Sequence, residues 1–341
     1  MHLFMPEIAV FEPASLQYPL GEKIYRYFLN KPVEIVKTSL GSFSRKLSHL
    51  SEKQRYAQSK TILVVTINRQ KHLEICKPSA DYQFSLVSNC PGSCEYCYLQ
   101  TNQSYKPYMK AYVNLEDIWE TILRHISQEN KDCVTFEAAS NGDPLAIEHI
   151  TGSVGEIIDK FGKLDNGRLR IVSKYDNVDY IADKKHNGHT RFRISINTDF
   201  VINKFEHRTS TMKERLDAAE KLVNARYPLG FIVAPIIIHD NWEEAYRNMF
   251  RMVSDRIGTM EKKDLTFELI QHRYTKPAKE RILERFPNTK LDMNEETREL
   301  KWGKFGRYKY IYRKEDVKVL KECMSQMIGT FFPGSKIEYF T

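Results

Sequence analysis

The chain has 341 residues, of which 41% are hydrophobic and 28% charged, and its formal net charge is +8. These proportions describe a globular chain long enough for one large α/β domain with extensions, or for two ordinary domains. No apolar run reaches the roughly eighteen residues of a membrane-spanning helix, and the excess of Lys and Arg suits a polyanionic partner, although a merely basic enzyme would have the same balance.

The first stretch, "MHLFMPEIAVFEP", carries Pro6, Glu7 and Glu12 where a secretory leader needs a basic start and an unbroken apolar core. A cytoplasmic location is therefore expected, and there the six cysteines read as metal ligands or thiols rather than disulfides. Residues 1 to about 80 are mixed. "LGEKIYRYFLN" has helical period, whereas "KTILVVTIN" is β-branched and predicts a strand. From about 80 to 270 apolar runs alternate with amphipathic stretches. The runs "DCVTFEAA", "RLRIVSK", "TRFRISIN", "LGFIVAPIII" and "LTFELIQ" predict strands. Between them "LEDIWETILRHIS", "VGEIIDKFG", "TMKERLDAAEKLVNA" and "NWEEAYRNMFRMVSDRI" predict helices. That alternation implies βαβ units, a parallel sheet and a full or partial barrel. From 286 to 341 the pattern changes: "ELKWGKFGRYKYIYR" reads as a β-hairpin, followed by a helix and a last strand, "KIEYF".

Functional residues of such sheets gather at the C-terminal ends of the strands. Ser140, Lys174, Ser195, Asn197, Pro235 and Gln271 all fall there and define a common rim.

Just before the first of these strands, "SNCPGSCEYCYLQ" sets Cys90, Cys94 and Cys97 within eight residues. A closed zinc site wants four ligands, usually as two paired hooks, and only Cys94 and Cys97 form a hook. Cys76, Cys133 and Cys323 are scattered. A cuboidal iron–sulfur cluster held by three thiolates keeps one iron open for a small molecule. The spacing C-x3-C-x2-C resembles the signature of the radical S-adenosylmethionine superfamily. The resemblance implies that the open iron chelates the amino and carboxylate groups of S-adenosylmethionine, which is cleaved to a 5′-deoxyadenosyl radical. It also places Tyr96 against the adenine.

The blocks "KPSADY", "YCYLQT", "KPYMKAYVN", "KHNGHTRFRISIN", "LTFELIQHRYTKPAK" and "FFPGSKIEYFT", in this order, resemble the spore photoproduct lyase family. The resemblance implies direct reversal of a methylene-bridged thymine dimer in spore DNA, and a partial (α/β)6 TIM-like barrel at about 81–285. An N-terminal α/β extension at 1–80 and a C-terminal hairpin, helix and strand at 286–341 flank it. By position, Cys90, Cys94 and Cys97 match the ligands of a [4Fe–4S] cluster. Lys174, Ser195 and Asn197 match residues holding the methionyl and ribose parts of the cofactor, the backbone of Tyr96 and Ala234 surrounds adenine, and Asp143 belongs to the same set. Lysine pairing a carboxylate, with Ser and Asn serving ribose hydroxyls, is chemically apt.

His272, Arg273 and Lys276 follow the last barrel strand, where phosphate contacts are expected. Trp302, Lys304, Phe305 and Arg307 lie near the hairpin turn. The family's hairpin wedges into the duplex so that the lesion turns outward, because a buried dimer cannot reach a radical formed inside a barrel. The family generally has Arg and Tyr at the tip where this chain has Lys304 and Phe305. The reading also carries an electron donor such as ferredoxin or flavodoxin, a monomeric enzyme and a location in the spore core.

One departure bears on the chemistry. The Bacillus-type pattern has at position 140 a cysteine whose thiol gives a hydrogen atom to the thymine radical; here it is Ser140, whose O–H bond is too strong for that step. Thr-Ser-Asp is expected next, and Asn141, Gly142 and Asp143 follow. Cys76 stands where serine is expected, so the donor moves to Cys76 in this reading, with Tyr98 in the radical path. Two other classes stay open: a radical enzyme of the same fold acting on another nucleic-acid lesion or substrate, and a zinc-stabilised nucleic-acid-binding protein.

Overall fold

The computed structural model describes residues 3–102, 107–257, 264–303 and 308–341. Its strands, in chain order, are β1 (Ile8–Phe11), β2 (Glu34–Lys37), β3 (Ile62–Thr66), β4 (Glu74–Ile75), β5 (Tyr82–Gln83), β6 (Val87–Ser88), β7 (Met109–Tyr112) and β8 (Val134–Glu137). They continue as β9 (Gly167–Ser173), β10 (Thr190–Ile196), β11 (Leu229–Ile236), β12 (Thr266–Gln271), β13 (Arg298–Trp302), β14 (Tyr308–Tyr312) and β15 (Lys336–Phe340). All five strand runs predicted between 132 and 271 are present.

Eight strands form one curled sheet in the order β15-β12-β11-β10-β9-β8-β5-β4. Every neighbouring pair from β5 to β15 is parallel, and β4 closes the edge as an antiparallel hairpin with β5. This is the partial TIM-like barrel. Phe192, Ile194, Phe231, Val233, Phe267 and Leu269 are buried on one face of its central strands, and Arg193 and Glu268 are buried on the other, so that both faces of the parallel sheet are covered. The helix Leu115–Gln128 crosses from β7 to β8 and buries Leu115, Ile118, Ile122 and Ile126 at helical spacing. The helix Met212–Asn224 opens with a capping box between Thr211 and Glu214, a device worth about 1 kcal/mol.

The five remaining strands of the first half form a second sheet, β2-β1-β3-β7-β6. Its edge strand β6 leads directly into the cysteine loop. An isolated parallel bridge, Asn89 to Gly142, joins that loop to the turn after β8. The three cysteines thus leave the seam between the two sheets. The last strand, β15, pairs in parallel with β12 and so extends the barrel sheet. β13 and β14 form the predicted hairpin in antiparallel register, Trp302 opposite Tyr308. A bridge from Tyr274 to Tyr310, with their rings stacked at 5.2 Å, ties that hairpin to the end of β12.

Candidate active site

The cysteine loop is held from several sides. Asn89 takes a left-handed backbone (φ 66°); its N–H donates to Asn141 O at 2.7 Å and its side-chain amide to Tyr108 O at 3.2 Å. The Ser93 and Glu95 N–H groups donate to the carbonyls of His207 and Phe205, at 2.8 and 2.9 Å. A Cβ on Gly92 would stand 2.9 Å from the Tyr175 hydroxyl and 3.3 Å from Cys90 Sγ, so the loop needs glycine there. The backbone N–H of Gly92 and the hydroxyl of Tyr175 each lie 3.3 Å from Cys90 Sγ.

Burial pushes the Cys90 thiol up to about 12 and raises those of Cys94 and Cys97 as well. Three neighbouring thiols release their protons when metal takes the charge. Among the described residues, no three His, Cys, Asp or Glu side chains converge as they would on a single ion. A cuboidal cluster takes its thiolates at three separate irons, and donors to the sulfur such as Gly92 N–H are a normal part of its surroundings. The loop fits a cluster better than a zinc ion.

Beside the loop lies a buried charge network. Glu206 accepts hydrogen bonds from Lys174 Nζ at 2.7 Å, from the Tyr96 phenol and from Arg215. Burial pushes this carboxyl up, but Lys174 and Arg215 outweigh it and hold Glu206 down at about 2. Lys174 Nζ also donates to the Tyr96 hydroxyl at 2.8 Å. Asp143 accepts from Ser173 Oγ at 2.8 Å and from the Lys174 N–H at 2.9 Å, while burial raises its pKa to about 6. Asn197 is largely committed to the framework: its amide donates to Pro235 O at 2.8 Å, and its carbonyl accepts from Thr198 N–H and the Tyr246 hydroxyl. Ser195 is buried, with its carbonyl on Arg215.

On the other wall, the Cys76 Sγ sits 3.3 Å from Ser140 Oγ. Cys76 begins the connection between β4 and β5 (residues 76–81), its N–H donating to Asp81 O at 3.1 Å. Tyr98, an exposed residue, turns its phenol inward and donates to the Ser140 carbonyl.

Comparison with known proteins decides what this arrangement is. The model of the family "Spore photoproduct lyase" matches residues 4–341. The chain belongs to the spore photoproduct lyase family. It is 44% identical to the Geobacillus spore photoproduct lyase over 341 residues, covering 100% of both chains. It is 43% identical to that of Bacillus subtilis over 338 residues, covering 99% of each. A solved spore photoproduct lyase, with AdoMet and dinucleoside spore photoproduct bound, has a TM-score of 0.97 at 44% identity, covering 100% of both chains. That protein is a double mutant in which a cysteine became alanine and a serine became cysteine. With membership go lyase activity on spore photoproduct and the use of S-adenosylmethionine with a [4Fe–4S] cluster.

The residues expected to meet DNA divide. Arg273 and Lys276 are exposed beyond β12, and Trp302 is 61% exposed at the end of β13. His272 is a correction: at 2% exposure it lies inside, with Arg298 donating to its carbonyl and its ring. Burial, with Arg298 adding, lowers its pKa to about 3, so it stays neutral and out of reach of a phosphate. Lys304, Phe305 and Arg307 lie outside the described residues. Ala234 is half-buried in β11, beside Pro235. Cys133 immediately precedes β8, at the end of the sheet opposite Ser140, and Cys323 lies in the helix Lys314–Phe331.

Sequence reasoning missed Glu206, Arg215, Tyr175 and Lys60. Glu206 and Arg215 are 9 residues apart, in "FEHRTSTMKERL", which reads as an exposed charged turn entering a helix. Nothing in that pattern announces a buried pair.

Proposed function

We propose that this enzyme reverses spore photoproduct with Cys76, rather than residue 140, as its hydrogen-atom donor. The observation that carries the reading is the contact of Cys76 Sγ with Ser140 Oγ at 3.3 Å. A thiol at 76 then borders the position where the family keeps its own thiol, and Tyr98 reaches the same residue from the other side. The solved double mutant, which loses one cysteine and gains another in place of serine, is the same kind of exchange.

When bound, the cluster and S-adenosylmethionine supply one electron and a carbon radical able to abstract hydrogen. Cys90, Cys94 and Cys97 hold the cluster. Tyr96, Lys174, Ser195, Asn197, Ala234 and Asp143 form the bed for the cofactor, with Glu206 and Arg215 fixing Lys174 and Tyr96. Once the dimer has split, the Cys76 S–H bond breaks and a stronger C–H bond forms on the thymine radical. The sulfur regains a hydrogen atom from the Tyr98 phenol, and the phenoxyl so formed would be restored by the hydrogen atom that the adenosyl group first took from the lesion, so that no net hydrogen is consumed. Trp302, with Lys304, Phe305 and Arg307 that follow it in the sequence, opens double-stranded DNA, and Arg273 and Lys276 hold phosphates. A ferredoxin or flavodoxin delivers the electron to a monomer in the cytoplasm of the spore core. Among the described residues no helix is long and apolar enough to cross a membrane.

Anaerobic repair by Cys76→Ala tests the assignment. The variant is expected to split the dimer but to divert product into adducts trapped from solution. Clean repair at the parent rate places the donor elsewhere.

A further inference from the structure

Lys60 comes from outside the barrel, at the C-terminal end of the helix Glu52–Ser59, and is only 7% exposed. Its ammonium donates to the Cys90 carbonyl at 2.8 Å. The same ammonium lies over the Tyr56 ring, 5.0 Å from the centroid. Arg285, paired with Glu52 at 2.6 Å, lies over the same ring at 4.4 Å and fixes it. A long flexible side chain is thereby held in one place.

We propose that Lys60 sets the reduction potential of the cluster, so that the N-terminal extension tunes the electron transfer that starts the reaction. The proposal rests on the reading of Cys90, Cys94 and Cys97 as cluster ligands. Reducing the cluster adds one negative charge to a buried site, and the potential of such clusters follows net charge, hydrogen bonding and solvent exposure. A fixed cation in a medium of low dielectric favours the reduced form much more than the same charge in water. Lys60 therefore makes the cluster easier to reduce.

The test uses anaerobically reconstituted full-length protein without S-adenosylmethionine or DNA. Iron per chain is counted, and the cluster is titrated potentiometrically with electron paramagnetic resonance as readout. Lys60→Gln keeps a donor but no charge, Lys60→Met keeps neither, and Lys60→Arg keeps the charge. In both neutral variants the ratio of reduced to oxidised cluster at a given poise is expected to fall about tenfold, a midpoint ~59 mV more negative for one electron. Lys60→Arg should stay near the parent. A midpoint unchanged in the neutral variants overturns the proposal. So does loss of iron from Lys60→Gln and Lys60→Arg alike, which assigns the ammonium to anchoring the Cys90 backbone. A parent that binds far fewer than about four irons refutes the cluster ligands instead.

Discussion

Cys76 and Ser140 stand side by side at the barrel mouth, sulfur to hydroxyl oxygen at 3.3 Å, although 64 residues separate them. A thiol on either residue would sit within one side chain's reach of the same point. Restoring cysteine at Ser140 in the Cys76→Ala background should therefore recover clean thymine formation and suppress the adducts. Product analysis by chromatography and mass spectrometry checks it. Adducts persisting in Cys76→Ala/Ser140→Cys would show that the two positions do not serve one pocket.

Gly142 departs from the family's serine, and its surroundings explain the cost of reverting it. A Cβ there would lie 2.3 Å from Asn89 O and 3.0 Å from a Val87 methyl. A backbone carbonyl one residue before Cys90 cannot step aside without moving the loop. Gly142→Ser is expected to destabilise the protein by about 1–3 kcal/mol, as overpacking usually does, and to lower iron content. Chemical unfolding with iron counting measures both, and parent values for both would contradict the contact.

The hairpin prediction concerns DNA alone. Trp302→Ala with Lys304→Ala should weaken binding to lesion-containing duplex while leaving S-adenosylmethionine cleavage intact. Loss of a phosphate contact should also reduce the salt slope by about one. Affinity and slope equal to the parent's would make the hairpin purely structural.

Glu148 offers a pH test far from the cluster. It is buried at the start of the helix Glu148–Thr151, and its carboxylate accepts N–H bonds from Val154 and Gly155 at 2.9 Å. Burial raises its pKa to about 7, against the opposing pull of those N–H groups, Lys23 and Thr151. The folded protein thus holds this proton more tightly than the unfolded chain does. The resulting stability is full below about 4.5 and is lost as pH rises through about 7. Glu148→Gln should remove that slope, a difference on the order of 3 kcal/mol between the ends of the window. Denaturant unfolding at pH 4.5, 6 and 8 measures it, and parallel curves for parent and variant would refute the assignment.

The alternation of apolar runs and amphipathic stretches determined the barrel, because parallel strands must be buried on both faces and their crossovers must be helical. The spacing of Cys90, Cys94 and Cys97 determined that three thiols share one short turn, since residues so close in sequence stay together however the chain folds. The exchange at Cys76 and Ser140 was visible too, but as two separate positions. Tertiary structure decided that they touch, because the segment between β4 and β5 is held against the barrel strands, Ser79 donating to Glu137 and accepting from Arg193, and so carries Cys76 to the turn after β8. It also decided that His272 is inside and Arg273 outside, which strand patterning cannot say of residues just past a strand end. Glu206 with Arg215 and Lys60 with Cys90 were beyond the sequence for a common reason. A charged residue is legible as buried only through the partner that neutralises it or the carbonyl it meets, and packing alone selects that partner.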